Sequence, residues 1–277
     1  MMKMKKFMNK IVIFLLFAST QIFGQSHIEY GSNQGKYLEL DNTRIYYEEY
    51  GNGDPVFLLH GGMGSISNFK RLIPDLSKHF KLIAIDSPGH GRSESIDSLS
   101  YNILAEYVVQ IVDKLKLDKI HIIGYSDGAV VGMLAANMMP ERIDKLVFGA
   151  GALKPSASTP AGLKMLQNIS PETLPEEFAT SYKNISPNPD HWEDFVYNSK
   201  EMWLQDIWIP LEILPKIKSK VLVLFGDRDQ FIPLNHSIDI YNNLPNSELC
   251  VLPNMYHDIF NNSKTTNPIL IKFLSEN

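Results

Sequence analysis

Short apolar segments alternate with longer amphipathic segments along most of this chain, and that order restricts the folds open to it. The runs 56–59, 82–85 and 221–225 are continuously apolar, and glycine or aspartate follows each within two residues. Continuous apolar runs of this length are typical of strands buried on both faces. Strands that alternate with helices form parallel sheets covered by helices. The sequence therefore predicts an α/β fold with a mostly parallel, twisted sheet and helices on both faces.

The predicted elements follow in a regular order with one interruption. Residues 36–51 predict two strands, joined by a turn at Asp41-Asn42, that add antiparallel strands at one edge of the sheet. Periodic apolar residues predict helices over 66–79, 99–116, 128–139, from about Leu234, and over about 266–275. Residues 155–212 break the alternation, since they are rich in Pro, Asn, Ser and aromatic residues. We interpret them as a mainly helical cap inserted into a single domain that spans 25–277.

The first residues have the composition of a targeting segment. Residues 1–10 carry four lysines and no acid, the apolar run 11–18 follows, and small and polar residues lie on both sides of Gly24. This pattern predicts a secretory signal peptide over 1–24 that is cleaved after Gly24. The apolar run is shorter than the roughly 20 residues of a membrane-spanning helix, and an uncleaved membrane anchor is the alternative. We expect an exported protein, periplasmic or secreted, with no stable membrane insertion after cleavage.

Charge and cysteine content limit the partners of the mature chain. Cleavage after Gly24 would remove four lysines and no acidic residue, so the formal charge would change from −5 to −9. An acidic chain disfavours nucleic acid as a partner. Cys250 is the only cysteine of the sequence, so no intramolecular disulfide can form. Metal-binding patterns such as H-E-x-x-H and C-x-x-C are absent from the sequence. We therefore expect a small-molecule substrate as the partner, and neither a metal nor an organic cofactor.

The segment "GYSDG" at 124–128 places one serine between two glycines. This G-x-S-x-G pattern lies between an apolar run and a helical pattern, so it predicts a sharp strand-to-helix turn that presents Ser126 as a nucleophile. Glycine on either side relieves crowding at such a turn. The backbone N–H of Asp127 would then lie at the start of a helix, where it can stabilise an anion. A serine in an ordinary glycine-rich loop is the alternative.

Five motifs in one order give the chain a resemblance to a known family. They are "LLHGG" (58–62), "DSPGHGRS" (86–93), "GYSDG" (124–128), "FGDRDQFIP" (225–233) and "PNMYH" (253–257). They resemble the motifs of α/β-hydrolase-fold enzymes with a cap after the sixth strand, esterase-like serine hydrolases, and the resemblance covers residues 36–275. It implies a catalytic triad in the chain order serine, acid, histidine.

The resemblance also assigns the two partners of the serine. His257 follows the last predicted strand, where the family has its base, and Asp229 is the fourth residue of the family's G-x-x-D pattern. Asp227 is the competing carboxylate, and we interpret it as a turn residue that bonds nearby backbone groups.

The expected reaction is the hydrolysis of an ester or a related acyl compound through an acyl-enzyme. Ser126 attacks the acyl carbonyl while His257 takes its proton, and water then hydrolyses the acyl-enzyme. The backbone N–H of Asp127 and that of Gly62 or Met63 are expected to form the oxyanion hole. The predicted class is a carboxylic ester hydrolase.

The cap carries all three tryptophans of the chain. We expect most of its aromatic residues to pack the cap onto the main domain and some to line a mostly apolar pocket. The insertion has no arginine to bind a carboxylate, although Lys164, Lys183 and Lys200 are available.

The sequence leaves other activities open. A peptidase of the proline-iminopeptidase type is one alternative, although "HGGMGS" departs from the proline and glycine that usually follow "HGG" in those enzymes. Carbon–carbon bond hydrolases use the same triad and are a second alternative. A ligand receptor on the same fold, without enzymatic activity, is the alternative from another class.

Overall fold

An eight-stranded sheet runs through the centre of the protein. The computed structural model describes residues 29–32, 34–40 and 43–276; the predicted signal segment 1–24 and the predicted turn at Asp41-Asn42 lie outside them. The strands are β1 (Lys36–Leu40), β2 (Thr43–Tyr50), β3 (Pro55–Leu59), β4 (Lys81–Ile85), β5 (Ile120–Tyr125), β6 (Ile143–Gly149), β7 (Lys220–Gly226) and β8 (Ser247–Leu252). Their order is β1-β2-β4-β3-β5-β6-β7-β8. β2 is antiparallel to β1 and β4, whereas β3 to β8 are parallel, so the predicted fold class is confirmed.

The strand order determines where a ligand site can form. From β3 the chain moves outward to β4 and then crosses back to place β5 on the other side of β3. The loops after β3 and β5 therefore leave the sheet at a point where the connections diverge. In open α/β sheets, ligands bind at such a point, beyond the carboxyl ends of the strands.

Helices cover both faces of the sheet. They are α1 (Ile73–Leu76), α2 (Tyr101–Lys114), α3 (Asp127–Met138), α4 (Pro160–Asn168), α5 (Glu176–Ile185), α6 (Trp192–Trp203), α7 (Leu234–Asn243) and α8 (Ser263–Ser275). Apolar side chains of α2, α3 and α7 belong to one buried cluster, and those of α1 and α8 belong to a second cluster on the opposite face. No helix among the described residues is long and apolar enough to cross a membrane.

Two helices differ from their predicted extent. The predicted helix 66–79 is a 3₁₀ turn at Ile66–Phe69 followed by the short α1. Pro74 explains the break, because it has no N–H to donate to the carbonyl four residues earlier and its ring crowds that turn. The final helix, α8, begins at Ser263 rather than near 266, with Pro268 inside it.

The inserted segment between β6 and β7 is helical, as the sequence predicts. It contains α4, α5 and α6 and ends in a 3₁₀ turn at Leu211–Lys216. The rings of Tyr182 and Phe195 stack with centroids 4.9 Å apart. The ring centroids of Phe195 and of His90 in the main domain lie 4.7 Å apart in a T-shaped contact. Those of Trp208 and Tyr101 lie 5.4 Å apart. Aromatic contacts thus hold the cap over the carboxyl ends of the strands.

Candidate active site

Ser126 lies at the sharp turn between β5 and α3. Its φ of 53° and ψ of −115° are a conformation that residues with a Cβ rarely adopt. A Cβ on Gly124 would lie 2.4 Å from the carbonyl oxygen of Gly128, and a Cβ on Gly128 would lie 1.9 Å from that of Leu59. The helix approaches the sheet so closely that only glycine fits at these two positions.

The structure brings the three predicted triad residues together from three loops. His257 Nε2 lies 3.1 Å from Ser126 Oγ, and His257 Nδ1 lies 2.8 Å from Asp229 Oδ2. Since an ionised carboxylate can only accept hydrogen bonds, Nδ1 carries the proton and Nε2 is free to accept one from the serine. The other oxygen of Asp229 accepts hydrogen bonds from the backbone N–H groups of Phe231 and Ile232.

Asp227 has a different position from Asp229. Its Oδ1 accepts a hydrogen bond of 3.1 Å from the backbone N–H of Met255, two residues before His257. The carboxylate therefore holds the loop that carries the histidine, whereas Asp229 contacts the imidazole itself.

The predicted oxyanion loop follows β3 and faces the serine. Gly62, Met63 and Asp127 line the same cavity as Ser126 and His257. Met63 has a φ of 53°, so the loop turns sharply at this residue. A Cβ on Gly62 would lie 2.5 Å from Asp127 Oδ2 and 2.5 Å from Trp203 Cζ2, so these side chains occupy the space that any larger residue would need.

Two buried histidines support the loops around the serine. His60 accepts a hydrogen bond from the backbone N–H of Ser87 through Nε2, and its Nδ1 bonds the carbonyl of Gly61. His90 Nδ1 bonds the carbonyl of Pro88. Burial lowers the pKa of His60 to about 3, with a smaller contribution from His90, and burial lowers the pKa of His90 to about 4. Both rings are therefore neutral supports in the folded protein.

A cavity of about 320 Å³ opens beside the serine, and its wall is mostly apolar. The cap contributes Ser158, Gly162, Met165, Leu166, Ile169, Leu174, Phe178, Trp203 and Trp208, and the main domain contributes Val130, Phe231 and Ile232 among others. Of the cap's tryptophans, Trp203 and Trp208 line the cavity, whereas Trp192 packs against Tyr182 and Phe195. The cap thus provides one wall of the substrate space.

Asp127 places a carboxylate in this wall. Its Oδ1 accepts a hydrogen bond of 2.9 Å from Tyr101 Oη, and its Oδ2 accepts one of 2.7 Å from Trp203 Nε1. Burial raises the pKa of Asp127, and the two hydrogen bonds oppose that shift. Burial also raises the pKa of Tyr101 well above its ordinary value, so its phenol stays protonated.

The sequence motifs do not assign Tyr101 and Trp203 to the site. Tyr101 begins α2 and Trp203 ends α6, and neither belongs to a motif. The signal that could have indicated them is the buried position expected for a carboxylate beside the nucleophile, which requires donors nearby. Within the part of the chain that the structure describes, no group of three or more His, Cys, Asp or Glu residues is arranged to hold a metal ion.

The chain is similar to known hydrolases in sequence and in structure. A family model described as the alpha/beta hydrolase fold matches residues 54–184. A 2-hydroxy-6-oxo-6-phenylhexa-2,4-dienoate hydrolase of Burkholderia cepacia is 31% identical over 247 residues, which cover 79% of this chain and 86% of the relative. A 2-hydroxy-6-oxononadienedioate/2-hydroxy-6-oxononatrienedioate hydrolase of Pseudomonas putida is also 31% identical, over 86% of this chain and 93% of the relative. A solved meta-cleavage product hydrolase of Pseudomonas fluorescens IP01 shares the fold with a TM-score of 0.74 at 21% identity, covering 87% of this chain and 97% of that chain.

Proposed function

This chain belongs to the α/β hydrolase fold family and is a hydrolase, and on that premise we propose that it cleaves a carbon–carbon bond beside a ketone carbonyl. The similarity to the Burkholderia cepacia relative carries this proposal, at 31% identity over 79% of the chain. The compound in that relative's name contains a 6-oxo group but no ester or amide. Its hydrolysis therefore breaks a carbon–carbon bond next to the ketone.

The first step uses the hydrogen-bonded line from Asp229 through His257 to Ser126. Ser126 Oγ attacks the ketone carbon, and His257 Nε2, at 3.1 Å, takes the hydroxyl proton. Asp229 holds the imidazole orientation and stabilises its cationic form. The carbonyl oxygen becomes an oxyanion, for which the backbone N–H groups of Asp127 and of Gly62 or Met63 are the proposed donors.

The next steps break the bond and regenerate the enzyme. The electron pair of the carbon–carbon bond leaves with the departing carbon, which takes the proton from His257. The acyl group stays on Ser126 as an ester. Water then attacks this ester while His257 takes a proton from the water. His257 returns that proton to Ser126 Oγ as the carboxylic acid product leaves.

The leaving group restricts the substrate. A carbanion leaves readily only when a second carbonyl group, directly or through conjugated double bonds, can accept its charge as an enolate. We therefore propose a 1,3-diketone or its conjugated extension as the substrate class. The apolar wall formed by the cap suits hydrocarbon or aromatic substituents on either side of the ketone.

Ester hydrolysis is the second candidate, and a specific feature of the cavity favours it. The relatives are named for substrates that are carboxylates, yet neither lysine nor arginine occurs among the described residues that line this cavity. An uncharged ester fits such a wall without a counter-ion. The triad chemistry is the same, with an alcohol leaving in place of the carbon fragment.

The proposal is tested by measuring kcat/KM for 1-phenylbutane-1,3-dione and for p-nitrophenyl butyrate with the purified protein and with Ser126→Ala. Steady cleavage of the diketone that the variant lacks would support the carbon–carbon assignment. Turnover of the ester but not of the diketone would replace the carbon–carbon assignment by ester hydrolysis. Turnover of neither compound, together with no labelling of Ser126 by a fluorophosphonate, would contradict both assignments.

We also propose that the protein is exported and that residues 1–24 are removed. The support is the basic start, the short apolar run and the small residues around Gly24. N-terminal sequencing of the protein from the periplasm or the medium should give Gln25 as the first residue. A chain that still begins at Met1 would contradict the cleavage, and recovery with the membrane fraction would favour the uncleaved anchor.

A further inference from the structure

The carboxylate of Asp127 is fixed inside the substrate cavity. It accepts hydrogen bonds from Tyr101 Oη at 2.9 Å and from Trp203 Nε1 at 2.7 Å. One donor belongs to α2 of the main domain and the other to α6 of the cap, so the two hold the carboxylate from different sides. Burial raises the pKa of Asp127, and the indole N–H, which can only donate, opposes that shift by favouring the ionised form of its partner.

This carboxylate also lies beside the loop that is proposed to bind the oxyanion. A Cβ on Gly62 would be only 2.5 Å from Asp127 Oδ2, so the oxygen occupies the space that a side chain at this position would need. A substrate whose carbonyl reaches Ser126 therefore lies near this carboxylate.

The described part of the cavity wall has few ionisable groups. Among the lining residues that the structure describes, the ionisable groups are Asp127, His257 and Tyr125, with no lysine or arginine. His257 already faces Asp229 and Ser126. A carboxylate on the substrate would lose its hydration here without gaining a counter-ion, and like charges in a poorly hydrated space repel strongly.

We infer that this site takes acyl compounds that carry no carboxylate and that Asp127 is the residue that selects against the anionic ones. This inference rests on the proposed attack of Ser126 on a carbonyl or similar electrophile. The inferred substrate preference differs from that of the relatives, whose names denote carboxylate substrates, a dienoate and dioates. Asp127 thereby has two separate roles: its backbone N–H is a proposed oxyanion donor, and its side chain sets the charge of the substrate.

Two fluorophosphonates with the same alkyl chain test the inference, one ending in a methyl ester and the other in a carboxylate. Both react with an activated serine, so the result is independent of which bond the enzyme cleaves in its substrate. At pH 8 the rate constant for labelling Ser126 should be at least about tenfold higher with the uncharged probe. Equal rates, or faster labelling by the carboxylate, would overturn the inference and leave the proposed function intact. Labelling by neither probe would instead contradict the proposed function.

Three variants assign the effect to the cavity charge. Asp127→Asn should reduce the ratio of the two rates to near one, and because each ratio is taken within one variant, a general loss of reactivity cancels. Asp206→Asn removes an equal charge from an exposed position of the cap outside the cavity wall and should keep the wild-type ratio. Met165→Lys adds a cation at a half-exposed position of the wall and should lower the ratio even if Asp127→Asn fails to fold. A wild-type ratio in folded Asp127→Asn would overturn the role of Asp127, and a wild-type ratio in Met165→Lys would show that charge in the cavity wall does not set the selection.

Discussion

Ser126 is held in a backbone conformation that costs free energy, and the cost can be measured. With φ at 53° and ψ at −115°, its Cβ crowds the backbone, which typically costs about 1–3 kcal/mol. Glycine has no Cβ, so Ser126→Gly should be more stable than Ser126→Ala by about 1 kcal/mol or more. Urea unfolding of the two variants measures the difference. Equal midpoints, with equal dependence on urea, would show that the turn is not strained at this residue.

The two aspartates after β7 differ in what they contact, and matched substitutions separate them. Asp229→Asn places an amide against His257 Nδ1 and disfavours the tautomer that can accept the serine proton. If Asp229 is the acid of the proposed triad, kcat should fall by about 10³–10⁴-fold, as in known triads. Asp227→Asn keeps an oxygen that can accept from Met255 and should change kcat far less. The reverse order in a steady-state assay would move the role of the acid to Asp227.

Helix α3 carries two glycines whose surroundings predict opposite tolerance of alanine. A Cβ on Gly128 would lie 1.9 Å from the backbone oxygen of Leu59, whereas one on Gly132 would lie 3.0 Å from Leu146 Cδ1 and 3.1 Å from Ile122 Cγ2, both side-chain atoms. In both cases alanine favours the helix by about 1 kcal/mol. Gly128→Ala should therefore lose several kcal/mol of stability, and Gly132→Ala should stay within about 1 kcal/mol of the wild type. Thermal and urea unfolding compare them, and a loss below about 1 kcal/mol in Gly128→Ala would contradict the close approach of α3 to β3.

The elements that the sequence predicts well are those with a local cause. Continuous apolar runs identify the buried strands, since each run is covered on both faces. The helix predicted over 66–79 shows the limit of periodicity, because its apolar spacing persists across Pro74 although the backbone cannot. Helix boundaries and breaks therefore require the local hydrogen-bonding capacity of each residue as well as the pattern.

The candidate site also contains some residues that the sequence predicts and others that it does not. Ser126, Asp229 and His257 each follow a strand in a recognisable motif, so the sequence indicates them before the structure brings them within hydrogen-bonding distance. Tyr101 and Trp203 reach Asp127 from positions 26 and 76 residues away in the chain. Contacts of this kind depend on how the cap sits on the sheet, and no short pattern encodes that.

Across the whole molecule, neutral histidines connect the sheet loops to the cap. The rings of His60 and His90 lie 5.1 Å apart, and Phe195 of the cap meets His90. Burial lowers both pKa values, to about 3 and about 4. Asp86, in the same loop region, has its pKa raised by burial to about 6. Protonation of the two histidines is therefore disfavoured in the folded protein, whereas protonation of Asp86 is favoured there.

The histidine pair should make the protein less stable in mild acid. Both histidines have folded-state pKa values below the ordinary 6.5, so their contribution is complete above pH 6.5 and is lost as the pH falls toward 4. Each proton taken up on unfolding changes the free energy of unfolding by about 1.4 kcal/mol per pH unit. Asp86 acts in the opposite direction between pH 3.8 and about 6, so the test compares slopes between variants, in which its effect cancels. His60→Asn should reduce the slope around pH 5 by about 1.4 kcal/mol per pH unit, while His191→Asn, at an exposed cap position, should keep it. Urea unfolding from pH 4.5 to 7 measures these slopes, and an unchanged slope in His60→Asn would mean that His60 is already charged in the folded protein.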